Sequence, residues 1–156
     1  TYFEDKMDVL RYIFQDTKRQ YQDFCRETLV DSGGDFWKMV AELFHQVLYR
    51  DYSGRLARLF QNVLTYAEAE KFVKILRESG GDGKKMDEWM YERVDKSQLR
   101  IESLEEFRVL IEMCMLAILM AFAQRYKYKE SIESVEWSFF RKMDFLKNGV
   151  LKHKES

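Results

Sequence analysis

The stretch Val109-Leu110-Ile111-Glu112-Met113-Cys114-Met115-Leu116-Ala117-Ile118-Leu119-Met120-Ala121-Phe122-Ala123 decides the fold, because it is apolar at every helical face and carries one charge, Glu112. Fifteen residues fall short of the roughly 20 that a membrane-spanning helix needs, and Arg108 and Gln124 bracket the run. A helix that is apolar all round is normally buried at the centre of a bundle. Ser103 and Glu106 form a capping box just upstream. The expectation is therefore a long central helix near residues 104–127, with Leu116, Ile118 and Leu119 in the middle of the core.

Amphipathic helices should surround it. Phe3, Met7, Leu10, Phe14, Thr17, Tyr21, Phe24 and Thr28 alternate steps of four and three, one stripe of a first helix from Tyr2 to Val30. Val9, Ile13 and Cys25 widen that stripe, and Ser32-Gly33-Gly34 should stop the helix. Asp35 then caps a helix with Phe36, Val40, Leu43, Phe44, Val47 and Leu48 inward. Shorter helices are expected around Leu56–Leu64, from Tyr66 to an end at Ser79-Gly80-Gly81, and from Lys85 to Lys96 with Met86, Trp89, Met90 and Val94 inward. Asp82-Gly83-Lys84-Lys85 reads as an exposed loop. Ile132, Val135, Phe139, Met143 and Leu146 mark a last helix that Gly149 should end, and Tyr126–Glu130 is either a bend or continuous helix. The fold class is all-α: a single compact helical bundle of about six to seven helices, one domain over residues 1–156.

Composition agrees. There is no proline, where average usage predicts roughly eight, and proline is poorly tolerated inside helices. The 26 basic and 27 acidic residues leave a net charge of −1, without the basic excess of a protein built to grip nucleic acid. Cys25 and Cys114 lack metal-type spacing, and two free buried thiols are favoured over one disulfide. No charged, apolar and small-residue leader is visible at Thr1. The reading is a soluble, cytoplasmic chain without a membrane span.

No catalytic, cofactor-binding or metal-binding set is legible, so an enzyme is not expected. His45 has only Glu42 at helical ligand spacing, and His153 sits in the tail. Cys25 and Cys114 fall on apolar stripes, where thiols are inert. Ser79-Gly80-Gly81-Asp82-Gly83 follows no strand and so is no phosphate cradle. Glu112 should turn to the rim, meet a basic partner or carry a raised pKa. Met86, Met90, Met113, Met115 and Met120 read as core filler first, and as the lining of an adaptable groove second.

The long apolar helix wrapped by amphipathic ones resembles Bcl-2-type bundles, cellular or viral, although the Asn-Trp-Gly-Arg signature of that family is missing. The resemblance implies a groove between helices that accepts a partner helix. The leading expectation is a protein–protein interaction module, an adaptor or inhibitor, with a protein partner and no cofactor. Its candidate interaction surface is Trp37, Tyr49, Tyr126, Tyr128, Trp137 and Phe140, with Tyr12 as a further outer ring. Two alternatives stand beside it. One is a nucleic-acid-associated helical protein using the late basic and aromatic residues, Arg125 to Lys154. The other is a secreted helical cytokine-like factor. A homo-oligomer is compatible with each.

Overall fold

The computed structural model describes residues 2–50 and 83–152. The helices expected around Leu56–Leu64 and from Tyr66 onward lie outside the described residues, as do Gly80–Asp82 and His153. Among the described residues there are five α-helices and no strand: α1 (Tyr2–Asp31), α2 (Phe36–Tyr49), α3 (Gly83–Arg93), α4 (Leu104–Tyr126) and α5 (Ile132–Asn148), with a 3₁₀ turn at Lys96–Gln98. The all-α expectation is met.

Local chemistry sets most of the boundaries. After α1, the Gly34 N–H reaches back to the Leu29 carbonyl at 2.8 Å, and the Ser32 hydroxyl donates to that same carbonyl at 3.2 Å. Asp35 caps α2 by accepting from the Lys38 N–H at 3.1 Å. The Ser103 hydroxyl accepts from the Glu106 N–H at 3.2 Å to open α4, and Ser131 does the same for α5 through Ser134. Gly149, at φ +79°, closes α5. Between α4 and α5 the chain bends: Lys129 takes φ +58°, and the Glu130 N–H returns to the Gln124 carbonyl. The segment read as a loop through Lys85 is shorter, since α3 begins at Gly83.

Gly34 has a second role. Its carbonyl accepts from the Asp95 N–H at 2.8 Å, which ties the α1–α2 turn to the end of α3. A Cβ there would stand 2.5 Å from the Arg93 carbonyl oxygen, at a φ of +91° that disfavours any L side chain. Gly34→Ala should therefore cost roughly 2 kcal/mol or more, from clash plus backbone strain. Gly33→Ala, at φ +68° in open space, should cost only about 1 kcal/mol. Urea unfolding of the pair checks this, and equal losses would contradict the docking of Gly34.

The core joins α2, α4 and α5. Phe36, Phe44, Phe107, Phe139, Leu29 and Val135 are fully buried. Phe44 stacks on Phe139 at 4.1 Å, and Phe36 meets the edge of Phe107 at 5.6 Å. All six inward residues expected on α2 are buried. On α1, Cys25, Thr28 and Leu29 face in, whereas Val9, read as part of the inward stripe, is exposed.

Cys25 and Cys114 are free and buried. Burial pushes both thiols up to about 12, against a small opposing pull from Arg26 on Cys25. An ordinary thiol ionises near 8.5, so folding holds these two neutral. The stabilisation this brings is complete below the unfolded value and is lost as pH climbs from about 9 toward 12. At pH 8 a thiol-reactive dye should leave the native chain unlabelled and modify both cysteines after denaturation. Rapid labelling without denaturant would contradict their burial.

The central helix differs from expectation in one respect. Ile118 is buried and Leu119 half-buried, but Leu116 is exposed. The methionine interior divides likewise: Met86 and Met90 are buried, while Met113, Met115 and Met120 face outward. Glu112 is exposed too, so it needs no buried partner.

Candidate functional site

The two apolar sides of α4 do different things. Phe107, Cys114, Ala117, Ile118, Ala121 and Phe122 are buried against the rest of the chain. Across the helix, Val109, Met113, Leu116 and Met120 are 58%, 45%, 51% and 49% exposed. Their spacing of four, three and four places them within about 60° of one another at 100° per residue. This is a narrow seam of the kind that pairs helices. The neighbouring α5, which packs closely on α4, adds an exposed Trp137 (71%) and Phe145. Arg141 lies between those two in sequence, with its guanidinium 4.5 Å above the Phe145 ring and an ion pair to Asp144 at 3.4 Å.

The six residues proposed from the sequence fall in three places. Tyr49, at the end of α2, donates its hydroxyl to the Glu136 carboxylate on α5. That hydrogen bond, ahead of slight burial and the charges of Glu136 and Glu133, holds the phenol above its ordinary range. Phe140 is half-buried on the same side, edge-on to Phe44 at 5.3 Å and 5.6 Å from the His45 ring. His45 Nε2 stands 3.7 Å from the Glu136 carboxylate. Tyr49 and Phe140 therefore belong to one end of the α2–α5 packing, while Trp137, also on α5, is exposed. Trp37 lies at the opposite end of α2, edge-on to Phe36 at 5.2 Å. Tyr126 packs on Phe122 at 4.7 Å, and the exposed Tyr128 lies under Lys127 at the α4–α5 bend. These six do not form one contiguous patch.

Three of the late basic residues are tied to local partners. Arg125 donates to the Glu130 carbonyl at 3.2 Å, Lys142 to the Ser138 hydroxyl at 2.9 Å, and Arg141 pairs with Asp144. Elsewhere Arg108 fixes α3 to α4, reaching Asp87 and Glu88 at 3.6 Å each. Burial raises the Asp87 carboxyl more than Arg108 and Lys18 lower it. Among the described residues no group of three or more His, Cys, Asp or Glu could hold a metal ion, and no helix is long and apolar enough to cross a membrane.

Among the described residues, the long helix α4 thus has a core on one side and an open apolar seam on the other. Residues 35–150 match the family described as tetracyclin repressor-like, C-terminal domain, and the chain belongs to that family. The match covers most of the described helices, α2 through α5. No curated protein and no solved structure matches the chain.

This family is one of regulators and not of enzymes. It overturns the expectation of a Bcl-2-type adaptor or inhibitor with a groove for a partner helix. The cytokine-like alternative goes with it, and the late basic and aromatic face is not what the family match points to. The physical reason for the misreading is that an apolar helix with two sides resembles a central helix when only periodicity is read. The residues missed were Val109, Met113, Leu116 and Met120. Their 4-3-4 spacing within the apolar run marks them as one helical face but does not tell whether that face is buried or exposed.

Proposed function

We propose that this chain is the self-associating, signal-receiving part of a tetracyclin-repressor-like transcriptional regulator, working beside DNA in the cytoplasm. The observation that carries the reading is the exposed seam of Val109, Met113, Leu116 and Met120 on α4. Large contiguous apolar surface on a folded chain usually belongs to an interface. Most homo-oligomers are two-fold dimers in which the same patch serves both partners. Two such seams laid against each other, with Trp137 and Phe145 of α5 at their flank, would make a four-helix arrangement of α4 and α5 from each copy. One connected core running from Cys25 to Met143 supports treating the chain as one domain. Seven large apolar residues exposed on these two helices, Met115 among them, would be a liability on a monomer. Sedimentation velocity tests the reading: the chain should run at twice its own mass over a wide concentration range. A species of single-chain mass at all concentrations would overturn it.

A further inference from the structure

A cleft of about 420 Å³ opens between the start of α2, the segment after the 3₁₀ turn, the first half of α4 and the end of α5. That volume lies within the roughly 300–1,000 Å³ of small-molecule sites. Its apolar wall includes Leu99, Ile101, Leu110 and Leu146. Arg100 and Lys147 also line it, and among the described residues no Asp or Glu does. Trp37 lines it too, with the neutral polar Gln98 and Asn148, and the Trp37 indole Nε1 is buried with no hydrogen-bond partner. A buried donor without an acceptor is uncommon in folded proteins and calls for one.

We infer that this cleft takes a small amphipathic carboxylate: an apolar alkyl or aryl body with one anionic head. The apolar wall suits the body. Arg100 and Lys147 supply charge-assisted hydrogen bonds to the head, and the unpartnered indole N–H of Trp37 is a further donor for an oxygen. A cationic ligand is disfavoured, because the described lining residues offer two positive charges and no negative one. A neutral hydrocarbon would leave the indole donor unsatisfied. The seam of α4 is a different surface, since none of Val109, Met113, Leu116 and Met120 lines the cleft. The assignment rests on the regulatory reading only in treating such a ligand as a signal.

The test is calorimetric titration of the whole chain with decanoate and, separately, with 1-decanol, alongside sedimentation of the same samples. Decanoate should bind, and decanol at least about tenfold more weakly. The exposed pair Arg100→Gln and Lys147→Gln should lower decanoate affinity about tenfold or more and leave decanol unchanged. Trp37→Phe, which keeps a ring and removes the N–H, should lose about fivefold. Absence of decanoate binding, equal affinity for decanol, or wild-type affinity in the double variant would each overturn the proposal. Circular dichroism confirms the fold of each variant, and Lys147→Gln alone serves if the double variant is altered. A chain that dimerises without binding decanoate counts against the cleft alone. One that binds decanoate as a monomer counts against the dimer alone.

Discussion

Replacing Met113 and Leu116 together by Glu is expected to convert a dimer into a folded monomer. Both side chains stand about half exposed on the isolated chain, so the helix itself loses little when they become polar. In a two-fold interface each substitution enters twice, and the new carboxylates face their own copies across the axis. Burying unpaired charge is strongly unfavourable, and several kcal/mol of lost association energy is a factor of about 100 or more in Kd. Sedimentation equilibrium reads the change and circular dichroism checks the helix content. Unfolding of the variant would make these residues part of the core. An unchanged dimer would place the interface elsewhere.

The second large effect is in the core. Phe44→Ala should cost about 3–5 kcal/mol, as deletions of a buried aromatic ring usually do. Phe44 is fully buried, stacked on Phe139 at 4.1 Å and edge-on to Phe140 at 5.3 Å, so its loss opens a cavity between α2 and α5. Trp137→Ala, at an exposed position of α5, should change the stability of a monomer by no more than about 0.5 kcal/mol. Both are best measured by urea unfolding in the Met113→Glu, Leu116→Glu background, because dimer stability depends on concentration. A Phe44→Ala loss below about 1 kcal/mol would mean that the stack at Phe139 is not structural.

Much of the helical layout was legible from residue pattern. Asp35, Ser103 and Gly149 sit where capping chemistry puts them, and Phe36, Val40, Leu43, Phe44, Val47 and Leu48 point inward as their spacing requires. These features are local, so a single chain's sequence contains all that determines them. The seam on α4 was not legible in the same way. A helix lying between its own core and a partner's carries apolar residues on both sides, as does a helix surrounded by its own chain. Periodicity cannot separate those cases, because the partner is absent from the pattern. Leu116 and Met113 were therefore assigned inward, and the exposed aromatics Tyr49, Tyr128 and Trp137 drew the interaction surface elsewhere. The cleft depended on Trp37, Arg100, Leu110 and Lys147, which are far apart in the chain and are joined only by packing.

The claim that α4 pairs with its own copy is tested most directly by a covalent trap. Cysteine placed at 113 or 116 lies on the seam, where residues near a two-fold axis meet their own counterparts. The native thiols at 25 and 114 are buried and should not compete. Mild oxidation of Met113→Cys and of Leu116→Cys, with the exposed Val30→Cys of α1 as control, is read on a non-reducing gel. The account predicts rapid, reducible covalent dimer at 113, at 116 or at both, and none at 30. Equal crosslinking at all three positions, or none at 113 and 116, would contradict it.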